Sequence, residues 1–236
     1  MDLKDRWRAI VNCIADLLGP KAEVVLHDVS CPDHSVIMIR NGHVTGRTTG
    51  APLTDLGFYM LRESEDRIET LGIYRSKTDD GKVLQCNAAN LRDARGKIEA
   101  ILCINIDITG ESAKQEHNQK VPIPAEHYQT NIDQVIETMI SEASRTVNGS
   151  LTRDLRFEVV SEMDARGVFL ARGSVRKVAS ALQIAAPTIY KYIQLGRRRR
   201  TFAKKARALE EKPASIILKP KHDSDRRNAK RKSSRS

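Results

Sequence analysis

The spacing of apolar positions divides the chain into one helix, a run of short strands and a closing set of helices. Trp7, Ile10, Val11, Ile14, Leu17 and Leu18 recur at the 3.6-residue period and predict an amphipathic helix over residues 5–18, ended by Gly19-Pro20. Residues 23–29 (Glu-Val-Val-Leu-His-Asp-Val) are a β-rich run stopped by Cys31-Pro32. A second run, 35–40, leads into Asn41-Gly42, a pair that accepts the positive φ angles of a tight hairpin, with 43–47 as the returning strand. Residues 52–63 predict a short helix through Leu53, Leu56, Phe58 and Leu61. A three-strand meander follows over 70–77, 82–91 and 97–108, turned by Asp79-Asp80-Gly81 and by residues 92–96.

Residues 111–124 are polar with two prolines and read as a linker. Beyond it the period returns to 3.6. Ile132, Val135, Ile136, Met139, Ile140 and Ala143 line one face of a helix over 131–145, a stripe that fits either a core or a dimer contact. Asn148-Gly149-Ser150 breaks the chain, and 152–166 is helical again through Leu155, Val159 and Met163.

Residues 174–193 have the pattern of a helix-turn-helix. Gly173-Ser174 supplies the N-cap of a short first helix whose inner face is Val175, Val178, Ala179 and Leu182. Ala179 is small where two helices cross closely. Gln183 stands at the turn position usually held by Gly. Ala186-Pro187 opens the second helix, where a missing N–H costs nothing, and Ile189 and Ile193 point inward. Thr188, Tyr190, Lys191 and Gln194 point outward, positioned to meet base edges and phosphates of double-stranded DNA. Arg172, Arg176 and Lys177 sit where they would grip the backbone, which sets register but reads no sequence. The competing reading is a helical hairpin in an ordinary bundle.

Charge strengthens the first reading. The net charge is +10, but residues 195–236 alone carry 16 Lys/Arg against 4 Asp/Glu, a net of +12, and the first 194 residues a net of −2. A basic segment gains affinity for polyanions by releasing their counterions. The tail is thus either an interaction segment, in the extreme a non-specific nucleic-acid binder by itself, or a solvated and disordered end. The boundaries that follow are 1–110 for an α/β domain, 111–130 for the linker, 131–195 for the helical DNA-binding region and 196–236 for the tail.

Cys13, Cys31, Cys86 and Cys103 form no C-x-x-C pair, and no histidines have zinc-finger spacing, so the thiols read as reduced and mostly core packing. The N-terminus has no apolar h-region, and no apolar run nears the roughly 18 residues needed to span a bilayer. A cytoplasmic chain without membrane partners is expected.

Several stretches resemble a known family: residues 17–28 (Leu-Leu-Gly-Pro-Lys-Ala-Glu-Val-Val-Leu-His-Asp), 41–47 (Asn-Gly-His-Val-Thr-Gly-Arg), 52–57 (Pro-Leu-Thr-Asp-Leu-Gly), 103–107 (Cys-Ile-Asn-Ile-Asp) and 167–170 (Gly-Val-Phe-Leu) with the helix-turn-helix. Together they resemble the YheO-like bacterial transcription regulators of the D-arginine utilisation repressor type, over about residues 7–193. The resemblance implies an α+β chain: a PAS-like antiparallel sheet domain with flanking helices, then an all-α helix-turn-helix domain and the basic tail. It also implies a homodimer whose PAS-like domain senses a small-molecule effector or serves dimerisation. The departure comes after Tyr192, where Gly196 interrupts and four arginines follow. Such an end is either a functional extension or a diverged terminus.

Polar residues near the expected pocket are His27, Asp28, Asn41, His43, Arg47, Asp55, Asn105 and Asp107. Most read as groups satisfied by local hydrogen bonds. His43, Arg47 and Asp55 are the ligand-binding candidates. No nucleophile elbow, phosphate loop, dinucleotide fingerprint or metal-ligand spacing is present, so no catalytic residue, cofactor or metal is expected.

Overall fold

The computed structural model describes residues 2–63, 69–111, 126–145 and 152–210. The chain forms two units, Met1–Gly196 and Arg197–Ser236. In the first, five antiparallel strands make one sheet. They are β1 (Ala22–Asp28), β2 (Val36–Arg40), β3 (Tyr74–Lys77), β4 (Val83–Arg92) and β5 (Ile98–Asp107), in the order β2-β1-β5-β4-β3. β1 and β5 sit inside the sheet, with Val25 opposite Cys103. β1 is buried on both faces, which is why it reads as a continuous apolar run. β4 alternates, and Leu84, Cys86, Ala88 and Asn90 turn inward.

Helix α1 (Leu3–Leu18) covers one face of the sheet, burying Val11 and Ala15 against Val24, Leu26 and Ala100. Ile10, Leu17 and Leu18 of the same helix stay exposed. The other face meets α2 (Asp55–Glu63), and four further helices follow in the chain: α3 (Ile132–Arg145), α4 (Arg153–Ala165), α5 (Ser174–Ala181) and α6 (Ala186–Glu210). One apolar cluster runs from Phe58, Met60, Ala88 and Ile101 through Ile136, Met139, Val160 and Met163 to Leu182 and Ile189. The sheet domain and the helical region therefore share a core. The α3 stripe lies in it, with Val135, Ile136, Met139 and Ala143 buried inside the chain itself. Among the described residues, no helix is long and apolar enough to cross a membrane.

Four expectations change. Residues 43–47 are turns, not a returning strand. Asn41 takes φ 57°, and its Nδ2 donates to the Gly19 and Ala22 carbonyls at 3.0 and 2.8 Å. Those bonds tie the segment to the α1–β1 turn, and β2 pairs back onto β1 instead. The strand expected over 70–77 shortens to β3 plus a bridge between Thr70 and Ala89, because Gly72 turns the chain at φ 76°. Only Cys86 of the four cysteines is fully buried; Cys13 and Cys31 are exposed, on the outer side of α1 and at the exit of β1. Gly196 does not interrupt α6, which continues through the four arginines to Glu210. A helical Gly costs about 1 kcal/mol, and the surrounding Leu, Arg, Lys and Ala are strong helix formers. Residues 112–125 of the linker, the break at 146–151 and the tail beyond 210 lie outside the described residues.

Gly167, between α4 and α5, has φ 83°, and a Cβ there would stand 2.6 Å from the carbonyl oxygen of Phe58 in α2. Backbone of the helical region thus touches backbone of the sheet domain. Gly167→Ala should destabilise the fold by about 3 kcal/mol, combining left-handed strain with a contact that cannot yield. Urea unfolding followed by far-UV circular dichroism checks this, and an unchanged midpoint would refute the close approach.

Candidate DNA-binding helix and sensor pocket

The helix-turn-helix is built as its pattern requires. Gly173 turns at φ 75°, and the Ser174 hydroxyl donates to the Ala171 carbonyl at 2.8 Å, fixing the start of α5. Gln183 adopts φ 51°, doing at the turn what Gly usually does, and the Ile184 N–H closes on the Ala179 carbonyl at 3.0 Å. In α6 Ile189, Tyr192 and Ile193 are buried, and Tyr192 packs edge-on against Phe157 of α4 with ring centroids 5.6 Å apart. Tyr190, Lys191 and Gln194 are exposed and Thr188 is half-buried. They share the outward side of the helix.

The backbone-gripping candidates divide. Arg172 and Arg176 are exposed. The Arg172 N–H also donates to Asp33 of the sheet domain at 3.4 Å. Lys177 is paired with Asp133 at the start of α3, so a phosphate would compete with that carboxylate for it.

The three ligand candidates are not brought together. His43 is exposed, and its carbonyl accepts from Lys82 Nζ at 2.9 Å. Asp55 is buried, but both its oxygens are committed: Oδ1 accepts the Leu56 and His127 N–H groups at 2.9 and 3.0 Å, and Oδ2 lies 2.6 Å from His127 Nδ1. Arg47 is buried and donates to the Pro52 carbonyl.

The pocket of the sheet domain is lined instead by His27, Thr54, Met60, Tyr74, Cys103 and Glu126, among others. Its free volume is about 10 Å3, the room of roughly one water. Glu126 is one of the residues that enclose it. Its carboxylate accepts from the hydroxyls of Thr54, Tyr74 and Tyr128 at 3.0, 2.8 and 3.0 Å. Burial raises its pKa against those bonds. Nearby, Glu23 is wholly buried and held by Thr45 Oγ1 at 2.6 Å and Asn105 Nδ2 at 2.9 Å, and burial raises its pKa also. Burial lowers the pKa of Arg47, opposed by the attraction of Glu126 and Glu23. His27 bonds Ser35 Oγ at 2.8 Å, and burial holds it well below its ordinary pKa, hence neutral.

A polar tier joins the two halves of the unit. His127 bridges Asp55 at the head of α2 and Glu142 on α3, with Nε2 3.8 Å from Glu142 Oε1. Arg166 binds Glu142 and Glu162 at 2.6 and 2.8 Å, and Arg62 of α2 binds Asp164 at 3.2 Å. Donor atoms of Asp55, His127 and Glu142 lie within 4.8 Å of one another. The Asp55–His127 hydrogen bond and the Arg166 pair on Glu142 already account for that grouping.

Sequence reading placed Glu126, His127 and Tyr128 in the linker and missed them. The available signal was Tyr128, the one aromatic residue between 111 and 130. Glu23 was hidden in an apolar strand whose partner residues are distant in sequence.

A PAS-like sheet domain packed on a helix-turn-helix defines a class, the DNA-binding transcription regulators with a PAS domain. The chain belongs to the YheO-like PAS family: the model of the YheO-like PAS domain matches residues 3–121, and that of an HTH domain matches residues 131–194. Among curated relatives, an uncharacterised protein of Haemophilus influenzae is 28% identical over 200 residues, covering 80% of this chain and 88% of its own. YheO of Escherichia coli, also uncharacterised, is 26% identical over 203 residues, covering 82% and 84%. The transcriptional regulator DauR of Pseudomonas aeruginosa is 29% identical over 201 residues, covering 80% and 92%.

The bond to Asp55 raises the pKa of His127 above the ordinary 6.5, against the lowering effect of burial. A raised histidine stabilises the fold fully below its unfolded pKa and loses that contribution as pH climbs through the folded value. The difference in stability between wild type and His127→Gln should therefore be larger at pH 6 than at pH 8.5, by less than about 1 kcal/mol because the ring is a third exposed. Urea denaturation at the two pH values measures it; a difference independent of pH would show that protonation of His127 plays no part.

Proposed function

We propose that this chain is a cytoplasmic, homodimeric, ligand-responsive regulator that reads double-stranded DNA with the first turns of α6. The observation that carries the reading is the shared core. The apolar cluster of the sheet face that holds the pocket continues through α3 and α4 to the helix-turn-helix, so a change in the pocket can reach α6 through contacting side chains. The exposed Ile10, Leu17 and Leu18 of α1 support a second copy as partner, and DauR, a named transcriptional regulator, supports the regulatory role. Thr188, Tyr190 and Lys191 meet bases and phosphates, Gln194 flanks them, and Arg172 and Arg176 hold the backbone. Whether the regulator represses follows from where its sites lie relative to promoters.

Replacing Thr188, Tyr190 and Lys191 together by Ala should abolish preference for an operator selected from genomic DNA, each side chain contributing about 1–3 kcal/mol at most, with the circular dichroism spectrum unchanged. Retained preference would remove these residues as the readers.

The net +12 beyond residue 194 favours a second reading, in which the tail binds nucleic acid without sequence preference. Removing residues 211–236 should flatten the dependence of log K on log salt while leaving operator preference in place, since each phosphate contact contributes about 0.9 to that slope. Loss of all binding would make the tail, not α6, the principal binder.

A further inference from the structure

Glu126 is held the way a bound ligand would be. It comes from a segment outside the sheet domain and inserts its carboxylate among groups that belong to that domain. Thr54 and Tyr74 donate their hydroxyls to it, and Tyr128 travels with it in sequence and adds a third. The Arg47 guanidinium, 3% exposed, is attracted by Glu126 and Glu23, and its Nε has no hydrogen-bond partner among the described residues. An unpaired buried donor of this kind is costly. Hydroxyl donors beside a guanidinium are the surroundings a carboxylate needs when it leaves water. A cationic occupant would leave the same donors unpaired, and a neutral one would leave the guanidinium charge uncompensated.

The space that remains has room for about one water. Glu126 is one of the residues that line this space, so its withdrawal enlarges it. We propose that Thr54, Tyr74 and Arg47 form a carboxylate-binding site that the chain fills with its own Glu126, and that the effector is a small carboxylate which displaces it. The proposal rests on the ligand-responsive reading above and names its ligand class. Displacement has a defined reach. His127 is the next residue, and its bonds to Asp55 and Glu142 connect α2 to α3. Withdrawal of Glu126 pulls on that bridge.

Glu126→Ala removes a group with the heavy atoms of acetate, so acetate is the probe. Full-length wild type and Glu126→Ala are melted in sodium acetate and in sodium chloride at equal ionic strength. The variant should gain melting temperature saturably in acetate, with a dissociation constant at least about tenfold below that of wild type. Adding Tyr74→Phe to the variant should remove most of the gain. An equal response of wild type and variant overturns the carboxylate site.

Should Glu126→Ala fail to fold in either salt, Glu126→Gln keeps the volume and loses the charge. The same tighter acetate response is then expected, and its absence overturns the site. The affinity of the folded variant for an operator fragment is measured with and without acetate in parallel. A change of about tenfold or more supports displacement as the switch. Acetate binding with unaltered DNA affinity overturns the switch and the ligand-responsive reading with it. Absence of acetate binding alone overturns only the ligand class.

Discussion

Everything in the first unit depends on one surface being buried twice over. Ala88 and Ile101 on the sheet, with Phe58 and Met60 from α2, are covered by side chains from α3 and α4, and that cluster continues without a gap to Leu182 and Ile189 of the helix-turn-helix. Neither half encloses these side chains alone. Apolar area is stabilising only when removed from water, at about 25 cal/mol per Å2, so cutting the cluster in two would expose the faces of both. The second helix of the helix-turn-helix is thus placed by the hydrophobic effect acting across what the sequence presents as two domains.

Around this apolar contact the polar groups do a different task. A hydrophobic interface is tolerant of small slips, whereas hydrogen bonds are directional. Asp55, His127, Glu142 and Arg166 link the head of α2 to α3 and to the end of α4, and Arg62 reaches Asp164 beside them. Such a tier fixes the angle at which the two halves meet. It adds little net stability by itself, since a buried pair forfeits its hydration. It also makes the junction sensitive to anything that moves residues 126–128, because these lie against both the pocket and the tier.

Much of the architecture was legible in the sequence because it follows periodicity. The two-sided burial of β1, the alternation of β4 and the inward set Val178, Ala179, Leu182, Ile189 and Ile193 are all one-dimensional patterns. Turns read less well. Asn41-Gly42 looks like a hairpin because its local chemistry allows one, but the bonds from Asn41 to Gly19 and Ala22 come from elsewhere in the chain. The outward face of α6 was legible for the same reason as its inward face. The pocket was not, since it gathers His27, Thr54, Tyr74 and Glu126 from separate elements, and no spacing rule connects them. Asp55 was singled out as a ligand-binding candidate, whereas in the structure its oxygens serve His127 and the start of α2. Gly196 was misjudged because one weak helix former was weighed without its strong neighbours.

The cysteines divide in a way that has a practical consequence. Cys13 and Cys31 face solvent, Cys86 is buried, and Cys103 lines the pocket, where burial pushes its thiol far above the ordinary range. A thiol reacts as thiolate, so an alkylating reagent meets two exposed sites, one half-buried and slowed, and one that waits for the structure to open. Cys86 reacts only as often as the sheet domain exposes it. The chain therefore carries a built-in clock for the breathing of its own sheet domain, readable by mass spectrometry without a label or a crystal.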